Sequence, residues 1–307
     1  DCLTINRAIL CPFLINEHHK ESATYKRGGH MAAVQGPSSS MTVAHHSAPT
    51  SNRSPELLNV DCEADDHDST PRGMRVVCIS DTHGMHRSLT VPSGDVLLHG
   101  GDFTRYGKID DALDFNVWLG TLEHRHKFVV LGNHEANAEW SERVVSILSN
   151  AVVLDNSGAA VCRADADGSC PLRIWGTAFY WPVETPHFVP PFAGIPDETD
   201  LIVCHGPAAG YVDGGSGCRY LLQHVARVRP MAVVCGHIHQ AHGITRGREA
   251  DGVDGTLFIN AANAGGHGAK EHSRALGWPP MVLDVPLKRE PFSGESDWDG
   301  GGRVVSH

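Results

Sequence analysis

No run of the 307-residue chain approaches the roughly 20 apolar residues that a membrane helix requires. The longest, Ala8 to Ile15, is short and interrupted by Pro12, so a transmembrane protein is not expected. Nor does an A-x-A pattern follow it, as a cleaved secretory leader would need. Positive charge is in deficit: 25 Lys and Arg face 36 Asp and Glu, a formal net charge of −11. A nucleic-acid backbone is bound by a basic surface able to displace counterions, so neither nucleic acid nor a membrane is expected as a partner. The nine cysteines include no CxxC pair, and most lie in apolar runs such as Val76-Val77-Cys78-Ile79 and Val233-Val234-Cys235. They read as reduced, buried thiols of a cytoplasmic protein rather than a disulfide frame.

Order is also expected to be lacking at both ends. Before Arg72, short apolar fragments are separated by Gly-Gly, Pro-Ser-Ser-Ser and the acidic run Asp61 to Asp66, too little apolar surface for a core. The chain opens on Asp1, with Met31 its first methionine, which reads the first thirty positions as a fragment or translated leader. Residues 1–73 are thus expected to be a disordered extension, 74–290 the folded domain, and the Gly/Ser/Asp-rich stretch 291–307 a flexible tail.

What is present begins at Met74. Short β-branched runs recur at Met74 to Ser80, Asp95 to His99, Phe128 to Leu131, Ala151 to Leu154, Leu201 to Cys204, Met231 to Cys235, Thr256 to Asn260 and Met281 to Val285. Their continuous apolar character predicts strands buried on both faces. Helical spacing joins Ile109, Ala112, Leu113, Val117 and Trp118, then Trp140, Val144, Ile147 and Leu148, then Leu221, Leu222 and Val225. Ala160 to Ala164 and Leu172 to Gly176 predict a hairpin across Asp165-Ala166-Asp167-Gly168. The whole reads as a single α/β domain.

Polar residues gather where these strands end, the place an α/β sheet offers to ligands. Successive strands deliver Asp81-Thr82-His83-Gly84, Gly100-Gly101-Asp102, Gly132-Asn133-His134-Glu135, His205-Gly206-Pro207 and Gly236-His237-Ile238-His239. Each fragment alone is commonplace; it is the succession, each directly after an apolar strand, that carries weight. Carboxylates, imidazoles and one amide form a hard-to-borderline ligand set suited to Mn, Fe, Zn or Mg. Seven such ligands exceed one tetrahedral ion and suit two divalent ions that share a carboxylate.

These five blocks resemble the calcineurin-like metallophosphoesterase superfamily, with its D-x-H, G-D, G-N-H-[D/E], later His and G-H-x-H signature, over Met74 to Val285. Cys78 to Gly84, Ile174 to Thr177, Ile195 to Asp200 and Cys235 to His239 further resemble the metallophosphoesterase-domain-containing subgroup, related to class III cyclic nucleotide phosphodiesterases. The resemblance implies a four-layer α/β/β/α sandwich with metals at the strand ends. Carried over by motif position, it implies Asp81, His83 and His239 on one metal and Asn133, His205 and His237 on the other. Asp102 then bridges both, and His134 faces substrate as proton donor. Two ions sharing Asp102 would acidify a water between them and leave hydroxide available near neutral pH, and a local positive centre would let an acidic protein bind phosphate.

Two departures from the subgroup touch specificity, not ligands. The segment Tyr180 to Phe192 is shorter than its counterpart and reads either as a substrate lid or as a Pro-stiffened loop, and Ala208 replaces a usual second proline. His86, His99, His242 and His267 are further candidates for substrate contact, while Asn260 reads as a strand-end cap. The expected function is hydrolysis of small phosphodiesters such as cyclic nucleotides. The alternatives are a phosphomonoesterase or protein phosphatase, a nuclease, which the acidic charge disfavours, and a pseudoenzyme scaffold, which the complete ligand set disfavours.

Overall fold

The computed structural model describes residues 56–59 (backbone only), 73–162, 171–180, 191–265 and 275–286. Every described residue belongs to one compact unit within Thr50–His307. The expectations for 1–55, 60–72 and 287–307 lie outside the described residues.

The strands are β1 (Glu56–Asn59), β2 (Gly73–Ile79), β3 (Val96–His99), β4 (His126–Val129), β5 (Val152–Val153), β6 (Ser157–Val161), β7 (Leu172–Gly176), β8 (Leu201–Val203), β9 (Ala232–Cys235), β10 (Gly243–Arg246), β11 (Leu257–Asn260) and β12 (Met281–Pro286). They form two six-stranded sheets, ordered β1-β12-β2-β3-β4-β5 and β10-β11-β9-β8-β7-β6. In the first, β2 to β5 run parallel and β12 lies antiparallel to β2. In the second, β7, β8, β9 and β11 run parallel between the antiparallel edges β6 and β10.

Why the strands read as continuous apolar runs is visible in their neighbours. Met74, Val76 and Cys78 face the second sheet and pack with Ile174, Val203 and Val234 in the central core. Val77 and Ile79, on the opposite pleat, are covered by Phe115, Trp118 and Leu119 of helix α1 (Ile109–Thr121). The far face of the second sheet, Ile202, Val233 and Phe258, is covered by Leu221, Val225 and Val228 of the helix at Arg219–Val228. The layers are thus α/β/β/α, and every central strand is buried on both sides.

One expectation changes, and two strands form that the sequence did not announce. Helix α1 buries Ala112, Phe115, Trp118 and Leu119 and exposes Leu113 at 49% and Val117 at 59%, so its inner face is rotated from the aliphatic stripe. The aromatics decide this, because Phe115 stacks on Phe103 with ring centroids 4.6 Å apart and buries more area than a valine could. Glu56–Asn59, inside the stretch expected to be disordered, forms β1, which pairs with the otherwise open edge of β12; unpaired backbone groups on an edge are a template for pairing. Strand β10 gave no sequence signal because, as an edge strand, its Thr245 and Arg246 are exposed.

Parallel strands bring their C-terminal ends to one rim. There the sheets are stitched together: Ser80, just after β2, bridges Ala262 beyond β11, and the Asn263 side-chain oxygen accepts from the Ser80 N–H at 3.1 Å while the Asn263 backbone N–H donates to the Ser80 carbonyl at 2.8 Å.

Candidate metal centre

The loops after β2 and β3 continue alongside each other as a ladder: the N–H groups of Asp81, His83 and Gly84 donate to the carbonyls of Gly101, Asp102 and Phe103 at 2.9, 3.0 and 2.9 Å. Following this ladder puts non-glycine residues into the left-handed region, with φ of +53° at Asp81, +43° at His83, +54° at Asp102 and, across the rim, +68° at His237. Each such backbone costs of order 1 kcal/mol or more, and all four side chains turn toward one another. Glycine is required beside them: a Cβ on Gly132 would lie 2.0 Å from Asp102 Oδ1, and one on Gly236 would lie 2.0 Å from Asp81 Oδ2.

Behind the loops sits Glu135, in the third position of the short helix α2 (Asn133–Ala136). Its fully buried carboxylate accepts from the N–H groups of Asp102, Thr104 and Gly132 at 2.8, 2.9 and 3.1 Å and from the Thr104 hydroxyl at 2.6 Å. One side chain therefore locks the Asp102 loop to the Asn133 loop. Burial, reinforced by the charge of Asp102, raises its pKa to about 7. The G-N-H-E block contained this residue, but nothing in the sequence assigned it this clamping position.

The seven predicted ligands come together as overlapping groups, Asp81 with His83 and His239, and Asp102 with His205 and His237, their ligand atoms within 4.8 Å of one another in each group. Asn133 Oδ1 lies 3.1 Å from His205 Nε2. Asp102 also groups with His83 and His134, so it reaches both sides. Proton placement shows what the groups lack. His205 Nδ1 is 2.7 Å from the carbonyl of Gly100, an acceptor only, so it carries a proton. A neutral ring then turns the bare Nε2 toward Asn133 Oδ1, His237 Nδ1 at 3.2 Å and Asp102 Oδ2 at 3.4 Å. On the other side His83 Nε2 and His239 Nε2 face each other at 3.2 Å, and Asp81 Oδ1 is 3.2 Å from His239 Nε2.

Such lone pairs repel unless positive charge enters their midst, and the titration of the groups reflects this. Burial alone would raise both carboxyls, but the neighbouring imidazoles, His239 at Asp81 and His205 at Asp102, hold them well below the usual range. Burial likewise opposes a charged His205, yet Asp102 outweighs it and raises this ring to about 9. Burial lowers His83 and His237 to about 4, leaving them neutral and able to ligate at neutral pH. Divalent cations would answer each group of lone pairs at once, displacing the proton from His205; the donor set fits them.

His134, half-buried, lies 3.8 Å from Asp102 Oδ2 through Nε2. Its Nδ1 is 2.9 Å from the Thr104 carbonyl and 3.0 Å from the N–H of Tyr106, one neighbour calling for a proton there and the other for a lone pair. His83 and Tyr106 flank its ring, at centroid distances of 4.8 and 5.2 Å. Phe179 packs its ring edge on His205 and His237 at 5.6 and 6.2 Å. Neither aromatic was legible as a site residue.

The remaining histidines divide. His99 is wholly buried, accepts from the Gly101 N–H through Nδ1 and meets the Thr82 hydroxyl through Nε2, and His86 is buried against Phe115 and Trp118 while paired to Asp114. Both sit inside the fold, out of reach of a substrate. His242 is half-buried, bonded to the Ala262 carbonyl and stacked on Trp278. His267 and most of the Tyr180 to Phe192 segment lie outside the described residues. Asn260 caps its strand, donating to the carbonyls of Val212 and Ile238 and accepting from the Ala262 N–H.

With this geometry in view, comparison with known proteins becomes specific. The profile of the calcineurin-like phosphoesterase family matches residues 74–241. The chain belongs to that family. It is a metal-dependent phosphoester hydrolase in a family that is typically dinuclear. Metallophosphoesterase domain-containing protein 1 of Homo sapiens is 32% identical over 270 residues, covering 76% of this chain and 78% of that protein. UPF0046 protein K07C11.7 of Caenorhabditis elegans is 32% identical over 240 residues, covering 72% and 78%. Among solved structures, TT1561 of Thermus thermophilus aligns over 61% of this chain and 88% of that one, at 12% identity and a TM-score of 0.44. Among the described residues no helix is long and apolar enough to cross a membrane.

Proposed function

We propose that this phosphoesterase hydrolyses small phosphodiesters, cyclic nucleotides among them, with Asp81, His83 and His239 holding one divalent ion, Asn133, His205 and His237 a second, and Asp102 shared. The observation that carries it is the convergence of ligand lone pairs on two adjoining points with one carboxylate between them. Ions held there supply Lewis acidity toward the phosphoryl oxygens and an acidified water as nucleophile. The donor set suits manganese, iron, zinc or magnesium alike.

The chain's own groups do the rest. Proton placement on His205 and the clamp of Glu135 fix the ligands before substrate arrives, so little reorganisation is needed during reaction. His134 Nε2 faces the Asp102 side of the centre and is the proton donor to the departing oxygen. Preference for a diester is supported by charge. Among the described residues Arg105 and Arg87, near the rim, are committed to Asp111 and Asp114, so neither is available to the phosphoryl group, which would be received by ions held by the seven ligands and by His134. That suits the single charge of a diester better than the double charge of a monoester. A cytoplasmic location is supported by the free thiols of Cys78, Cys204, Cys218 and Cys235, all buried.

The test is a metal-reconstituted assay of bis-nitrophenyl phosphate, nitrophenyl phosphate and cyclic nucleotides side by side. Diester turnover at least tenfold above monoester turnover is expected; the reverse ranking overturns the diester reading and points to a phosphomonoesterase.

A further inference from the structure

Behind the ligand loop of the second sheet lies Asn260, at the end of β11 and wholly buried. Its backbone is in register with Cys235, which runs directly into Gly236 and His237. A buried primary amide has N–H donors and an oxygen to satisfy, and three separate segments satisfy this one. Its Nδ2 donates to the carbonyl of Ile238 at 3.0 Å and to that of Val212 at 3.1 Å, and its Oδ1 accepts from the Ala262 N–H at 3.1 Å. Ile238 stands between His237 and His239, and its carbonyl also accepts from the Ala241 N–H at 2.9 Å, the bond that closes the turn carrying His239. The peptide joining Ile238 to His239 is therefore held twice. Val212 has a φ of +45°, rare for a β-branched residue, and its loop closes over the same place, since a Cβ on Gly214 would lie 3.1 Å from the Ile238 side chain. Ala262 in turn bridges Ser80, the residue before Asp81.

We infer that Asn260 is a positioning residue for the metal centre, fixing His237 and His239 together through the Ile238 carbonyl and so setting the affinity for both ions. The inference rests on the reading of those two histidines as ligands of separate ions. Capping β11 uses only the bond from Ala262; the other two bonds reach loops that belong to other strands. His237, at a φ of +68°, keeps a strained backbone that persists only where its surroundings over-determine it. The held Ile238 peptide does so on one side, and on the other the His237 N–H lies 3.1 and 3.0 Å from the two oxygens of Asp81. Glu135 plays the matching part for the loops of Asp102 and Asn133, so each sheet sets one buried side chain behind its ligands.

The test measures metal binding apart from turnover, by calorimetric titration of manganese into metal-free wild type, Asn260→Asp, Asn260→Ala and Thr256→Val, beside urea unfolding of each metal-free protein. Asn260→Asp keeps the size of the side chain and the acceptor for the Ala262 N–H but has no N–H for Ile238. Thr256→Val removes another buried bond, from the Thr256 hydroxyl to the Pro230 carbonyl at 2.7 Å, at the opposite end of β11. Both Asn260 variants should bind both ions at least about tenfold more weakly than wild type, the lower end of what the hydrogen-bonded supports of metal ligands are worth, while Thr256→Val, though less stable, should bind them within about twofold. Unchanged affinity in Asn260 variants that fold would make the residue a cap and nothing more. A loss confined to one ion would mean that the two histidines are not fixed together, and an equal loss in Thr256→Val would mean general loosening. Each of these overturns the inference, as does failure of both Asn260 variants to unfold cooperatively, which would assign the residue to the core. Should wild type bind a single ion, the two-ion reading fails by itself, and the variant-to-wild-type affinity ratio for that ion still decides the role of Asn260.

Discussion

The two sheets contribute unequally to the rim they share. The first supplies both carboxylates, the amide and two imidazoles, Asp81, Asp102, Asn133, His83 and His134, and carries three of the four left-handed backbones at the rim; the second supplies only imidazoles, His205, His237 and His239, with a single strained backbone at His237. Two of the groups draw on both, since His239 completes the Asp81 and His83 group while Asp102 and Asn133 complete that of His205 and His237; a third, His83, Asp102 and His134, lies within the first sheet. Among the described residues no such group is drawn from the second sheet alone. The stitch from Ser80 to Asn263 makes the two halves one rigid rim.

The sharpest way to break this division is to substitute one ligand from each sheet. Asp102→Asn removes the carboxylate proposed to be shared, so both ions should be held weakly and turnover should fall by at least about a thousandfold on every substrate. His237→Ala removes one imidazole from one group. It should lower metal content by about one ion per chain, and excess metal should restore part of the rate. Metal analysis beside turnover separates the two. Two tightly held ions and near-native rates in Asp102→Asn would refute the shared carboxylate, and equal metal loss in both variants would refute the division of labour.

A subtler contrast lies within the first sheet, between ligands and the group beside them. His134→Ala should keep both ions yet lose about a hundredfold to ten-thousandfold in rate, the usual worth of a positioned acid. The loss should be greatest for alkoxide leaving groups and least for nitrophenolate, which departs without a proton. Metal loss from this variant, or an equal rate loss across leaving groups of graded pKa, would show that His134 belongs with the ligands.

What the sequence disclosed follows the same physical lines. Ligands that must sit at strand ends leave a mark, because an apolar run followed by Asp-x-His or Gly-His-x-His is local, and so do strands buried on both faces. Contacts made across the rim leave none. Glu135 was visible as a letter of its motif, but its clamp depends on N–H groups of Asp102 and Thr104 some thirty positions away. Tyr106 and Phe179 become site residues only through rings brought to them by other loops. Helix α1 misled because an aliphatic stripe and an aromatic one compete on the same cylinder, and only the partner Phe103 decides between them.

The smallest expected effect compares two kinds of histidine in the first sheet, those that ligate and His99, which does not. Burial lowers His99 to about 3, well below its ordinary 6.5, so the folded chain keeps it neutral. Between those values the unfolded chain binds a proton that the folded chain refuses, and stability must fall as pH falls through that window. At pH 5 the deficit from this one ring is about 2 kcal/mol, from 1.36 kcal/mol per pKa unit. His99→Gln retains an acceptor for the Gly101 N–H and a donor toward Thr82 but cannot titrate. It should cost stability at pH 8 through poorer packing on Phe115, while losing less between pH 8 and pH 5 than wild type does. The measurement is urea unfolding of the metal-free protein across that range. Both proteins share every other histidine, so the difference between the two slopes reports on His99 and its coupling to His86 and His205, and parallel slopes would mean that this ring already carries a proton inside the fold.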